Sequence, residues 1–273
     1  PVGYCATSMP EQRVGHGWWP YIGPYLVFTL AGLAGERLPE ASAPAWLIVK
    51  PALVAACIFY FWRRGEYSEL RGYRWTSPML GADLAVGVAL AALWVIPYLW
   101  IPAIRPGHFE EVLFRWGVPF LGAPEVDPGP IAGGFDAEML GASLVPVAVA
   151  MRMVGYGLVT PLFEELFMRS FVIRVAEVWG SDRDFRDVPI GFYSRKSFVA
   201  VIVIFTLAHL PWEYWVMVPW AILSTAWLYY RRHLMAVVVL HAATNASILV
   251  FVALASGAFS DGAGGRLSLW FFV

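Results

Sequence analysis

The stretch PLFEELFMRSF, residues 161–171, places two glutamates and an arginine inside an otherwise apolar segment. On a helix, Glu165 and Arg169 lie one turn apart and can pair, which lowers the cost of holding both charges near lipid. Glu164 lies about 100° around the helix axis from Glu165, so it cannot share the arginine equally. The spacing therefore predicts that Arg169 binds Glu165 and leaves Glu164 available as a base. A solvated helix end with a surface ion pair is the alternative.

Two further polar motifs lie in apolar segments of the C-terminal half. His209 follows Phe205 by one helical turn in FTLAHLPW, and Asn245 follows His241 by one turn in LHAATNA. Ionisable groups at membrane depth are costly and seldom face lipid, so each motif is a candidate functional site. His209 fits a core histidine bonded to a backbone carbonyl, a general base, a metal ligand or an axial ligand. His241 with Asn245 fits a donor cluster for an oxyanion, or a polar contact between helices.

The composition is that of an integral membrane protein. The 273 residues are 59% hydrophobic and 14% charged, with a mean hydropathy of +0.61, whereas a soluble domain carries about 25% charged residues. The formal net charge of −1 argues against nucleic-acid binding, since no basic stripe is present to neutralise phosphates. We predict an all-α, polytopic helical bundle of about 7–8 transmembrane helices with the active site inside the bundle.

Spanning helices need roughly 20 mostly apolar residues. Candidate spans lie at 18–35, 44–62, 79–102, 140–163, 198–212, 214–230 and 234–256. Residues 166–179 are amphipathic, which predicts either an eighth short span or an extension of the fourth helix along the cytoplasmic interface. An interface helix keeps the basic loops 63–77 and 180–197 on the cytoplasmic side, as the positive-inside tendency favours. We therefore predict seven crossings and a cytoplasmic N-terminus, with eight crossings as the alternative.

These boundaries divide the chain into three regions. Residues 1–138 hold about three spans and an outside loop, residues 139–258 form the core with all three motifs, and residues 259–273 form a tail. Glu110, Glu111 and Arg115 repeat the glutamate–arginine spacing in the glycine- and proline-rich loop. No apolar span leads into that repeat, and it lies on the other side of the membrane. We interpret it as a solvated loop helix.

Together the three motifs resemble the CPBP family of intramembrane proteases, which includes type II CAAX prenyl endopeptidases and bacteriocin-processing proteins. The family pattern is EExxxR, FxxxH and then HxxxN or HxxxD on separate helices, and this chain supplies it within about residues 140–256. The stretches VTPLFEELFMRSFVIR, DFRDVPIGFYSRKSF and LHAATNA are similar to CAAX-protease-related membrane proteins found beside bacterial exosortase systems. Ser170 stands where many members have glycine, and a small residue there preserves close helix approach.

The resemblance implies hydrolysis of a peptide bond in a membrane-tethered or lipidated protein. Glu164 and His209 would activate a water, and Arg169 would hold Glu165. His241 and Asn245 would stabilise the tetrahedral oxyanion. No cofactor is certain, but a zinc ion would take Glu164, His209 and His241 as its ligands. The expected location is the bacterial inner (plasma) membrane, with the substrate and the lipid bilayer as partners.

Two other classes of function remain open on the sequence alone. A catalytically silent scaffold or assembly subunit of a larger membrane complex would keep the motifs without using them. A haem- or pigment-binding protein would use His209 and His241 as axial ligands, but that function leaves the glutamates and Asn245 unexplained.

Overall fold

The computed structural model describes residues 17–35, 37–39, 42–76, 78–106, 143–260 and 265–273. Within these ranges the chain forms helices and turns, and its β-structure is a single isolated bridge between Ser260 and Arg266. The all-α class predicted from the apolar segments is confirmed. The repeat at Glu110, Glu111 and Arg115 lies outside the described residues.

Seven helices of thirteen residues or more make up most of the described chain. They are α1 Trp19–Gly35, α2 Ala43–Arg63, α3 Pro78–Trp100, α4 Val145–Val178, α5 Arg195–Leu207, α6 Tyr214–Arg231 and α7 Leu234–Ala255. Each overlaps one of the predicted spans. α5 ends earlier than predicted, because Pro211 disfavours a helical conformation at Leu210, whose ψ is 146°. His209 therefore lies in the turn after α5 and not within the helix.

Helix α4 runs for 34 residues, and its hydrogen bonding changes register twice. Gly155–Val159 and Leu166–Val172 are π-helical, a local widening that is frequent at functional sites. Residues 166–178 continue the preceding helix, so the predicted extension of the fourth helix is confirmed, and its position at the interface stays a prediction. No glycine or proline interrupts residues 162–179, so the helix continues, and the side chains of Leu166 and Met168 are fully buried in the bundle.

Four of the helices have the length and composition to cross a membrane. Among the described residues these are Pro44–Arg63, Pro78–Trp100, Val145–Val178 and Leu234–Ala255. At 1.5 Å per residue, α4 is about 51 Å long, which exceeds the ~30 Å hydrocarbon core of a bilayer. The chain is therefore an integral membrane protein, and the number of crossings stays a prediction.

Helix α7 forms the centre of the bundle and packs closely along α3. Side chains around its whole circumference are buried, including His241, Thr244 and Asn245. Thr244 Oγ1 donates to the Gly87 carbonyl oxygen at 3.0 Å. A Cβ at Gly87 would overlap the Leu240 carbonyl oxygen and lie 2.6 Å from the Ala243 Cβ. Only glycine permits this approach, which fixes where α7 presents its polar residues.

A buried cluster around Asp83 ties α3 to α6. Its carboxylate accepts hydrogen bonds from Tyr73 Oη at 2.7 Å, Trp227 Nε1 at 2.8 Å and Arg231 Nη1 at 3.1 Å. The Asp83 carboxylate is fully buried, and these three hydrogen bonds replace the ones that it would make with water. Sequence analysis did not single out Asp83.

A second polar cluster forms around Glu69 and includes Ser170. Glu69 Oε1 accepts from Ser170 Oγ at 2.5 Å, Tyr21 Oη at 2.8 Å and Arg174 Nη2 at 3.1 Å. Ser170 therefore adds a bond from α4 to the loop after α2 while its side chain stays small. This loop, α1 and α4 are joined at one point.

Replacing Gly87 by alanine tests the contact between α3 and α7. The added methyl forces the helices apart, so we expect the free energy of unfolding to fall by about 1–3 kcal/mol. Gly81→Ala on the same helix is the matched control, because its Cβ would meet no atom within 4 Å. Thermal unfolding of the detergent-purified variants measures both, and equal melting temperatures would contradict the close packing.

Candidate active site

One cavity inside the bundle collects the four residues that the sequence assigns to chemistry. Glu164 reaches it from α4, His209 from the turn after α5, and His241 and Asn245 from α7. Its volume is about 80 Å³, enough for a few water molecules at ~30 Å³ each. The three motifs therefore belong to one site.

The ion pair beneath this cavity is almost wholly shielded from solvent. Arg169 Nη1 donates to Glu165 Oε1 at 3.0 Å, and Nη2 donates to Ser224 Oγ on α6 at 2.6 Å. The guanidinium carbon lies 4.4 Å from the ring centroid of Phe205 and 5.3 Å from that of Trp220. Arg169 thus connects α4 with α5 and α6. The surface ion pair considered as an alternative is not what forms here.

Glu165 has a second partner that the sequence did not reveal. Its Oε1 accepts a hydrogen bond from Nδ1 of His241 at 2.8 Å, across 76 positions of sequence. A carboxylate at Nδ1 fixes the ring orientation and leaves Nε2 facing the opposite way. That Nε2 lies 3.8 Å from Glu164 Oε2, beyond direct hydrogen-bond distance. Glu165 therefore orients the His241 ring so that its Nε2 faces Glu164.

The spacing of Phe205 and His209 in the FxxxH motif allows a hydrogen bond between the histidine ring and the Phe205 backbone. Nδ1 of His209 donates to the Phe205 carbonyl oxygen at 2.9 Å. A carbonyl can only accept, so the neutral ring carries its lone pair on Nε2. His209 is therefore both bonded to the backbone and available as a proton acceptor, while the ring of Phe205 covers Arg169.

Asn245 lines the cavity and also joins two helices. Its Nδ2 donates to the carbonyl oxygen of Tyr156 at 2.9 Å, within the π-helical Gly155–Val159 segment of α4. One amide hydrogen is used in this bond, and an amide carries two. The second hydrogen is the one that can reach a substrate oxygen.

A carboxylate that sequence analysis missed lines the same cavity. Glu213 follows Pro211 in the turn between α5 and α6, and its Oε2 accepts from the Leu210 backbone N–H at 2.9 Å. A sequence signal existed, since Glu213 is the only acidic residue between Asp187 and Asp261. Tyr156 and Thr160, two turns and one turn before Glu164, complete the polar lining on α4.

The side chains as placed do not fit a metal ion. Among the described residues, no group of three histidine, cysteine, aspartate or glutamate side chains is arranged to hold one. Glu164, His209 and His241 share the cavity, but a zinc site needs three protein ligands each about 2 Å from the ion. The zinc ligand set stays a prediction, and we derive no step through it.

Comparison with known proteins agrees with this reading of the core. The family model described as Type II CAAX prenyl endopeptidase Rce1-like matches residues 146–247. No curated protein and no solved structure matches the chain. The matched span begins in α4, ends in α7 and contains all three motifs, so the predicted resemblance to the CPBP proteases is confirmed. Residues 146–247 of this membrane protein are therefore similar to the Rce1-like type II CAAX prenyl endopeptidases.

Proposed function

We propose that this protein is an intramembrane endopeptidase that hydrolyses a peptide bond of a membrane-tethered or lipidated protein. The observation that supports this most strongly is the single cavity shared by Glu164, His209, His241 and Asn245. Peptide hydrolysis needs a base for the water and donors for the developing oxyanion. The cavity offers both from different helices.

Glu164 is the base in this proposal. Arg169 binds Glu165 instead, and the Glu164 side chain keeps 15% of its surface accessible. The carboxylate accepts a proton from a water molecule, and the resulting hydroxide oxygen attacks the scissile carbonyl carbon. Nε2 of His209, which lines the same cavity, accepts a hydrogen bond from the same water and orients the water's lone pair.

Asn245 and His241 act on the carbonyl oxygen. The second amide hydrogen of Asn245 donates to the oxyanion, and protonated His241 donates from Nε2 while Glu165 stabilises its charge through Nδ1. When the intermediate collapses, the C–N bond breaks and the proton held by Glu164 moves to the leaving amine. The proton that Glu164 takes from water thus leaves with the amine product, and Glu164 is again a carboxylate for the next cycle.

The contacts among the loops support a topology of seven crossings with the N-terminus in the cytoplasm of a bacterial inner membrane. Tyr21, near the start of α1, bonds Glu69 after α2 and packs on Phe185 after α4. His233, before α7, bonds the Arg71 carbonyl oxygen. These four points lie at one end of the bundle, and both basic loops belong to it, as the positive-inside tendency favours.

A pigment-binding function gains no support from the geometry. His209 and His241 line a cavity of about 80 Å³, which accommodates only a few water molecules. Both Nδ1 atoms are bonded within the protein. A silent scaffold has no specific observation in its favour.

Replacing Glu164 by glutamine tests the catalytic assignment. The amide keeps the size of the side chain but cannot accept the proton, so we expect the rate of cleavage to fall by about 10²–10⁴-fold. A library of lipidated peptides in proteoliposomes, with products identified by mass spectrometry, measures the effect. Glu110→Gln, in the other glutamate–arginine repeat, is the matched control and should cleave at the parent rate. Equal rates for Glu164→Gln and the parent would refute the role of Glu164.

Chelation tests the choice of a metal-free water. Because the described side chains do not form a metal site, we expect cleavage to continue unchanged after treatment with EDTA and 1,10-phenanthroline. Elemental analysis of the purified protein should find far less than one zinc per chain. Loss of cleavage on chelation and its recovery with added zinc would show instead that Glu164, His209 and His241 close around an ion.

A further inference from the structure

A second, larger cleft opens beside the catalytic cavity. It has a volume of about 560 Å³ and lies between α1, α2 and the part of α4 around its first π-helical segment, Gly155–Val159. Its walls are mostly apolar, with Phe28, Trp46 and Val159 among them. Tyr156 and Thr160 line both spaces. The cleft therefore adjoins the site where Glu164 lies.

The chain itself runs from the catalytic cavity into this cleft. Phe272 lines the cavity and is 4% exposed, while Val273 lines the cleft. Trp270 is also buried and packs against the guanidinium of Arg152. Residues 270–273, which we name the inserted segment, thus show that a peptide can extend across both spaces.

Two side chains of α4 bind backbone oxygens of consecutive residues in the inserted segment. Tyr156 Oη donates to the Phe272 carbonyl oxygen at 3.3 Å, and Arg152 Nη1 donates to the backbone oxygen of Val273 at 2.6 Å. Backbone oxygens are common to every peptide, so neither bond depends on the side chains of the segment. The described residues lining the cleft include two cations, Lys50 and Arg152, and no carboxylate side chain, which suits an oxygen-bearing ligand.

We propose that the cleft and the cavity form one peptide-binding channel, in which Arg152 and Tyr156 bind the backbone oxygens of two consecutive residues of the substrate. In the structure described here, the inserted segment occupies this channel. The channel rests on the proposed function for its substrate class, an apolar peptide segment. Arg152 lies outside the lining of the catalytic cavity, so it is a positioning residue rather than a catalytic one.

Self-occupancy has a measurable consequence. A peptide from solution binds only when the inserted segment has left, so its apparent affinity is reduced by the fraction of time that the channel is open. Weakening the segment should raise that affinity, whereas removing Arg152 from a variant whose segment is already weakened should lower it. A segment that serves only to complete the fold would show neither effect.

The experiment measures binding, so that it does not depend on cleavage. A fluorescent peptide of sequence SLWFFV, matching residues 268–273, is titrated against detergent-purified Glu164→Gln protein and against the same protein with Phe272→Ala added. We expect about tenfold tighter binding to the double variant, as for a channel open about a tenth of the time. Phe59→Ala is the matched control, because Phe59 is an exposed aromatic on α2, and it should leave the affinity unchanged.

A third substitution distinguishes an effect on the channel from a general loss of stability. Adding Arg152→Gln to the double variant should weaken peptide binding by about tenfold, the effect of one lost charge-assisted bond, while the melting temperature reports whether the variant is folded. Equal affinity with and without Phe272→Ala, or no effect of Arg152→Gln in a folded protein, would overturn the proposal. Labelled palmitate binding in place of the peptide would also overturn it and make the cleft a lipid site.

The outcomes also distinguish this proposal from the proposed function. If the peptide binds as expected but the parent protein cleaves no substrate, the proposed channel is supported and the proposed protease activity is refuted. If cleavage depends on Glu164 but the peptide does not bind in the expected pattern, the protease activity is supported and the channel is refuted.

Discussion

Glu165 and Arg169 form an ion pair that is nearly inaccessible to solvent, and the same oxygen of Glu165 binds His241 on another helix. Burying such a pair is expensive, and removing one partner typically costs about 3–5 kcal/mol because the other charge remains buried. Among the described residues, Glu165 Oε2 and Arg169 Nε have no hydrogen-bond partner, so the cost is only partly offset. The pair is better explained by what it positions: His241 through Glu165, and the walls of α5 and α6 through Arg169.

Around that ion pair, some polar atoms of the three motifs are used in bonds within the protein, and the others remain available to a ligand. Backbone bonds occupy Nδ1 of His209 and one amide hydrogen of Asn245, and Glu165 occupies Nδ1 of His241. What remains directed into the cavity is Nε2 of each ring, the second amide hydrogen and the Glu164 carboxylate. The arrangement leaves acceptors for a water and donors for an oxyanion in one place, which is what hydrolysis of an amide requires.

The sequence predicted what depends on local spacing. Residues four apart on a helix are neighbours, so the Glu165–Arg169 bond and the separate position of Glu164 follow from the order of residues alone. Apolar segments likewise predicted where helices lie. Contacts between distant parts of the chain could not be inferred in this way: Ser224 on Arg169, Glu165 on His241 and Ser170 on Glu69 join positions 55 to 101 residues apart. The amphipathic pattern of residues 166–179 allowed for an extension of the fourth helix, but it did not reveal that Glu165, Arg169 and Ser170 bind partners inside the bundle.

A structure of the protein with a peptide phosphonamidate, whose tetrahedral phosphorus imitates the attacked carbonyl, tests the central claim most directly. The account predicts one phosphonyl oxygen about 3 Å from Asn245 Nδ2 and His241 Nε2, and the other oxygen at the same distance from Glu164. A phosphonyl group bound away from Glu164, or one whose oxygens meet neither Asn245 nor His241, would contradict it.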